Sequence, residues 1–240
     1  MIKLSFVSHY YNYPEMVQEQ IAYWESLPEA FLSQVEFILV DDCSEQTPIY
    51  KPTKLNLRVF RVITDLPWNQ AGARNLGAFN AAGTWALFFD IDQRFILEPM
   101  EAVLSSLNRM DPKAMNYFRI KELIDITVNK PLQYHPNTFL VKLEMFKKFG
   151  MYDEDFVGHY GYEDLYMPQV WEKNGGTRVL LNDRVFFEDL GFGTSSLDRD
   201  LSHNLNLAQN KMLAGTKNST GILRFEWAEV DISKSSELVR

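Results

Sequence analysis

Cysteine is nearly missing from this chain of 240 residues: Cys43 stands alone, so no disulfide can close within it. Clusters of Lys and Arg are missing too, and the net charge is −8 at pH 7. A nucleic-acid partner, whose phosphates require a basic face, is thereby excluded. No apolar run approaches the ~20 residues of a membrane-spanning helix, so any membrane contact is peripheral. The opening IKLSFV reads as a strand, with neither a charged n-region nor a cleavage site, and the expected compartment is the cytoplasm, with any membrane association at the inner face. Internal repeats, low-complexity tracts and linkers are also lacking, which predicts a single domain over residues 1–240. What the chain has in quantity is apolar surface, 46% of its residues, ample for a large core.

Residues 68–92, WNQAGARNLGAFNAAGTWALFFDID, predict a helix feeding a buried strand. Asn69 is placed to cap the helix, Leu76 and Phe79 give it a core-facing side, and Gly83 is expected to end it. Residues 85–89 run without a polar interruption, as a strand covered on both faces does. Asp90 and Asp92 follow where that strand ends. In open α/β sheets ligands bind beyond the carboxyl ends of the strands, so two carboxylates there are positioned to meet a cation and whatever the cation holds.

Three further strands are predicted at 2–8, 35–40 and 57–63, ending in the loops HYYNY, DDCS and TD. A helix starts near Pro14, with Val17, Ile21, Trp24 and Leu27 on one side. The alternation implies a mainly parallel sheet whose right-handed crossovers bring His9, Tyr11, Asp42, Asp65, Asp90 and Asp92 to one rim. A helix over 98–110 stops at Asp111-Pro112. Beyond it the pattern turns mixed: strands at 114–120, 123–128 and 138–142, a turn at Asn129-Lys130-Pro131, and a helix over 143–149. An aromatic loop enters a helix over 163–173, so Glu163 and Asp164 fall in its first turn, where the helix dipole favours negative charge. Strands at 178–181 and 185–187, a helix over 198–213 and a tail complete the chain.

Taken in order, these pieces resemble the GT-A glycosyltransferases, and among them the inverting group called family 2. The resemblance rests on Ala73-Arg74-Asn75-Leu76-Gly77 with Phe89-Asp90-Ile91-Asp92, and on Phe149-Gly150-Met151-Tyr152-Asp153-Glu154 leading to Tyr162-Glu163-Asp164-Leu165. It implies an α/β GT-A fold, Rossmann-like, with a mainly parallel central sheet, helices on both faces and a mixed second half. Residues 1–112 would bind a nucleotide sugar, 113–194 would form the acceptor and catalytic half, and 195–240 a terminal helix and tail. By the same transfer His9 and Tyr11 line the nucleotide pocket, Asp42 binds the base, Arg74 reaches the base or ribose, and Asp90 holds the ribose. Asp92 ligates a divalent metal, Mn2+ or Mg2+, on the donor diphosphate. Asp164 is the catalytic base, with Glu163 or Tyr162 touching the acceptor.

The chemistry needs those residue types. A nucleoside diphosphate leaves readily only once its charge is neutralised, and the acceptor hydroxyl attacks only if a carboxylate takes its proton. The family often places a metal-ligating histidine after the last sheet strand, where this chain has Phe187-Glu188-Asp189. Asp189, Glu188 or His203 would stand in, or the diphosphate and water. His135 and His159 read as loop residues rather than ligands, and Trp68 and Tyr160 as faces for a sugar. The expected function is transfer from a nucleoside diphosphate sugar, a UDP-sugar, to a saccharide or lipid-linked saccharide. A sugar-1-phosphate nucleotidyltransferase and a non-catalytic sugar-binding module are the alternatives. The former usually carries a glycine-rich basic loop after the first strand, and His9-Tyr10-Tyr11-Asn12-Tyr13 is no such loop.

Overall fold

The computed structural model describes residues 2–121, 124–125, 130–131, 134–181, 183–191, 199–219 and 221–233. The first half contains β1 (Leu4–Tyr10), α1 (Pro14–Glu25), α2 (Glu29–Leu32), β2 (Val35–Asp41), β3 (Leu57–Val62), α3 (Gln70–Asn80), β4 (Trp85–Phe88), β5 (Gln93–Phe95) and α4 (Leu97–Ser106). The second half adds β6 (Ala114–Lys121), β7 (Ile124–Asp125), β8 (Lys130–Pro131), β9 (Tyr134–Lys142), α5 (Leu143–Phe149), α6 (Glu163–Lys173), β10 (Thr177–Leu181), β11 (Phe187–Asp189), α7 (Ser202–Leu213) and β12 (Trp227–Val230).

One large sheet runs in the order β12-β3-β2-β1-β4-β9-β6-β11-β5, with β10 also paired to β6. β3, β2, β1 and β4 are mutually parallel, whereas β9 runs antiparallel to β4 and to β6. The sheet is thus parallel where the first half builds it and mixed beyond, as the sequence pattern predicts. Among the described residues no helix is long and apolar enough to cross a membrane.

Period-two alternation sorts the strands' side chains onto two cores. Phe6 of β1 with Val35, Phe37 and Leu39 of β2 packs against Val17 and Trp24 of α1 and Met100 and Leu104 of α4. Val7, Ile38 and Val40 face the other way, onto Ala73 and Leu76 of α3. Trp24 stacks on Phe37 with ring centroids 4.4 Å apart. A buried aromatic of this size contributes more than any aliphatic neighbour, and Trp24→Ala would cost about 3–5 kcal/mol. The alanines of α3 let the helix lie close to the sheet. Gly77 marks the closest approach, since a Cβ there would sit 2.4 Å from Val7 Cγ1.

Several boundaries differ from the sequence reading. β1 extends to Tyr10, so His9 belongs to the strand and not to the loop. α3 ends at Asn80, and Gly83 has a different task from stopping it. Its N–H donates to Ser5 Oγ (2.9 Å) and Glu36 Oε1 (3.1 Å), and a Cβ there would lie 2.7 Å from the Ser5 backbone nitrogen. The buried Glu36 is tolerated in an apolar strand because Ser5 Oγ and the amides of Ala82 and Gly83 all donate to it. Phe79 is 51% exposed instead of core-facing. The final helix begins at Ser202, and the strand expected at 185–187 is shifted to Phe187–Asp189. Of the strand read at 123–128 and the turn after it, only Ile124–Asp125 and Lys130–Pro131 fall among the described residues, where they pair antiparallel. The tail contributes β12, which extends the sheet by pairing antiparallel with β3.

Candidate active site

Because β1, β2 and β4 are parallel, their carboxyl ends open on one rim, and there a cavity of about 840 Å³ is found. His9 and Tyr11 enter it from β1, Asp42 from β2, and Asp90 and Asp92 from the turn after β4. Glu163 and Asp164 approach from the N-terminus of α6, and His135 from the start of β9. Asp42, Asp92 and Asp164, far apart in sequence, therefore share one cleft.

The α6 residues are held by the loop before them. Tyr162 takes a left-handed backbone (φ +70), as does Trp68 (φ +50) across the cleft, a conformation uncommon for bulky side chains and frequent where a site stores strain. The Gly158 N–H donates to the Pro67 carbonyl (2.8 Å), joining the loops that carry them. Trp68 and Tyr160 meet with centroids 4.7 Å apart and form an aromatic part of the cavity wall.

Burial decides the charge states. The Asp42 carboxyl is pushed up to about 7 by burial, with Asp41 and Asp65 adding to the rise and a hydrogen bond from Asn69 Nδ2 (2.8 Å) opposing it. Asp92 is raised to about 7 by burial and by the neighbouring Asp90 and Asp189 charges. Glu163 is raised to about 8 by burial and by Asp164. Asp164 is itself raised by burial, against the opposing pull of His135. His9 is pushed down to about 3 by burial and by Arg74, so its imidazole is neutral at pH 7. For Asp90, burial works upward, but Arg74, His135 and His9 outweigh it and hold the carboxyl below its ordinary value.

Not every expected residue reaches the cleft. Arg74 is 1% exposed and lies behind it, with Nη1 donating to the Asn137 carbonyl (2.8 Å) and Nη2 paired with Asp90. It therefore fixes Asp90 and the start of β9 and is not among the residues that line the cavity. Asn75 beside it behaves alike: its amide donates to the Tyr152 carbonyl (3.0 Å) and Glu154 Oε1 (2.9 Å) and accepts from the Tyr152 N–H (2.9 Å). The two motif-like stretches are thus joined to each other. Asn69 stands at the N-cap of α3 without a side-chain capping hydrogen bond, and its Nδ2 donates to Asp42. Asp189 lies close enough to Asp92 to raise its pKa, and the Leu190 N–H donates to the Asp92 carbonyl (2.8 Å). Glu188 lies 4.0 Å from Arg94. His203 does not line the cleft; its ring stacks on His159 at 3.6 Å.

Among the described residues no group of three or more His, Cys, Asp and Glu side chains is placed to hold a metal ion. With Asp90 tied to Arg74, the donors left nearby are the carboxylate of Asp92, which lines the cavity, and that of Asp189, which does not line it and accepts at Oδ1 from the Gly191 N–H (2.8 Å). Two hard oxygen ligands fit a cation such as Mg2+ or Mn2+ that keeps water or phosphate in the rest of its shell, and do not form a protein cage.

His135 is the residue sequence reasoning passed over. Its Nδ1 lies 3.3 Å from Asp90 Oδ2, and the ring lines the cavity. The signal was faint: a histidine in a polar stretch, brought to the rim only because β9 pairs with β4.

The sheet order, the crossovers and the rim cleft define the GT-A fold. The chain is similar to solved structures of S. aureus TarS. In the complex of its residues 1–349 with UDP-GlcNAc the identity is 17% and the TM-score 0.65, over 88% of this chain and 67% of that one. Without ligand the same TarS fragment gives 18% identity and a TM-score of 0.60, over 78% and 60% respectively. An uncharacterized glycosyltransferase of Haemophilus influenzae is 33% identical over 85 residues, 35% of this chain and 29% of that protein. The chain thus spans under a third of that curated relative and about three fifths of the TarS fragment. No protein-family model matches it.

Proposed function

We propose that the chain is an inverting, metal-dependent glycosyltransferase that moves a sugar from a UDP-sugar to a saccharide or lipid-linked saccharide hydroxyl. The observation that carries this reading is the meeting of Asp42, Asp92 and Asp164 in one cavity at the carboxyl ends of β1, β2 and β4. Its volume lies within the range of small-molecule sites. The binding of UDP-GlcNAc by TarS, which shares the fold, supports the choice of donor class.

Asp42, steadied by Asn69, accepts a hydrogen bond from the base, with Tyr11 and neutral His9 beside it. Asp90, held by Arg74, faces the ribose. Asp92, with Asp189 near it, would hold a divalent cation, which when bound neutralises charge on the departing diphosphate. Asp164 takes the acceptor hydroxyl's proton as its oxygen bonds to the anomeric carbon. The bond from that carbon to the UDP oxygen breaks on the opposite side, giving inversion. Such proton transfer typically contributes ~10²–10⁴-fold. The Trp68–Tyr160 wall offers an apolar face to an acceptor sugar ring.

Thermal melts with UDP and UDP-sugars, with and without Mn2+, test the reading together with a donor-hydrolysis assay. Asp92→Ala should abolish the Mn2+-dependent stabilisation. Asp164→Asn should keep it and lose turnover by about 10²–10⁴-fold. Equal loss of binding and turnover in both variants would refute this division of roles. Release of pyrophosphate from UTP would identify a nucleotidyltransferase instead, and binding without any turnover a non-catalytic module.

A further inference from the structure

The His135 imidazole is held at one nitrogen and unengaged at the other. The Asn137 backbone N–H donates to Nδ1 (3.3 Å), and Asp90 Oδ2 lies 3.3 Å from the same atom. A neutral ring protonated only at Nδ1 would set that proton against the Asn137 N–H. The Asn137 N–H takes the Nδ1 lone pair, so the contact selects the ring whose proton is on Nε2. Among the described residues nothing accepts it, although the side chain is only 25% exposed and lines the cleft.

Anchoring Asp90 does not explain this residue, because Arg74 and Asn137 already hold that carboxylate. Its location is more telling. His135 touches Asp90 and shares the cavity with Asp164, whose ionisation it influences more than any other side chain does. In the reading proposed above, the group between the ribose-facing carboxylate and the general base is the transferred sugar. We propose that His135 is a specificity-determining contact for that sugar, its Nε2–H donating to a hydroxyl or N-acyl oxygen of the transferred residue. This rests on the donor reading and deepens it.

The test compares affinities for UDP and for UDP-GlcNAc, UDP-glucose and UDP-galactose, by calorimetry with Mn2+, in wild type and two variants. His135→Asn keeps an acceptor where Nδ1 stands and deletes the Nε2 donor; His135→Gln places an amide N–H near the Nε2 position. His135→Asn should weaken the best UDP-sugar roughly 3- to 10-fold, the effect of one lost hydrogen bond, and leave UDP unchanged within about twofold. His135→Gln should recover part of the loss. Equal weakening of UDP and UDP-sugar, or no weakening of either, would overturn the assignment, since a merely structural histidine cannot separate the two ligands. Failure of wild type to bind UDP or any of the three sugars would overturn the donor reading itself, a result distinct from failure at His135.

Discussion

Glu163 and Asp164 are adjacent at the start of α6, the first buried and the second half-buried, and their surroundings treat the two carboxyls differently. Glu163 is pushed up to about 8, by burial first and then by the Asp164 charge. Asp164 is raised by burial too, against His135 and the N-terminal amides of α6, which favour its ionised form. Glu163, raised to about 8, holds its proton at neutral pH, and the reading proposed above gives the substrate proton to its neighbour Asp164. Its raised pKa sets an acid limb. Transfer should fall as pH drops through a value above that of ordinary aspartate, because the base must be ionised to act. The pH profile of kcat/KM measures this directly, and a limb at or below the ordinary aspartate value would exclude Asp164 as the group being titrated.

At the level of elements, α3 is a strut between the two halves rather than a ligand-binding helix. Arg74 ties it to Asp90 and β9, and Asn75 ties it to the Tyr152–Glu154 segment ahead of α6. Asn75→Ala would leave the buried Tyr152 N–H and Glu154 Oε1 short of partners, at a cost of about 1–3 kcal/mol. Asn75→Asp should be worse, since it sets a second carboxylate against Glu154. Urea unfolding of the two variants checks the order. Unchanged stability with lost donor affinity would instead assign Asn75 to the ligand. This strut explains what could be read from the chain in advance. β1 to β4 were legible because each is an apolar run ended by polar residues, and α6 because its acids and loop announce a helix start. The position of Arg74 behind the cleft was not legible because its motif shows residue types without the direction in which they point. β5 and β12 were invisible because three or four residues carry no periodicity, and their pairing with distant strands alone makes them strands. His135 depended likewise on a tertiary pairing, that of β9 with β4.

For the molecule as a whole, the acidic cleft is a stored destabilisation that ligands relieve. Asp42 rises from 3.8 to about 7 on folding and Glu163 from 4.5 to about 8, in each case chiefly through burial. Both pKa values are higher folded than unfolded. The native state therefore binds more protons than the unfolded chain between about pH 4 and 8, and stability must fall as pH rises through that window. Asp155 acts in the opposite sense at the acid end. Burial alone would raise it, but Lys211 and Arg224 hold it below 3.8, so its contribution is present above that value and disappears in stronger acid. Each unit of pKa difference corresponds to about 1.4 kcal/mol, and a chain of this size loses roughly 2–4 °C in Tm per kcal/mol. The melting temperature of the ligand-free protein should accordingly decline by several degrees between about pH 5.5 and 8.5. The double variant Asp42→Asn, Glu163→Gln should melt with a flatter pH dependence, because it removes both titrations while keeping the volume of the side chains. UDP with Mn2+ should raise Tm more at the alkaline end, where the carboxylates it engages are already ionised, than at the acidic end, where protons must first be displaced. Differential scanning fluorimetry across that range reads all three. A Tm that rises with pH in the free protein, or the same decline in the double variant, would mean that these two carboxyls are not protonated in the folded cleft.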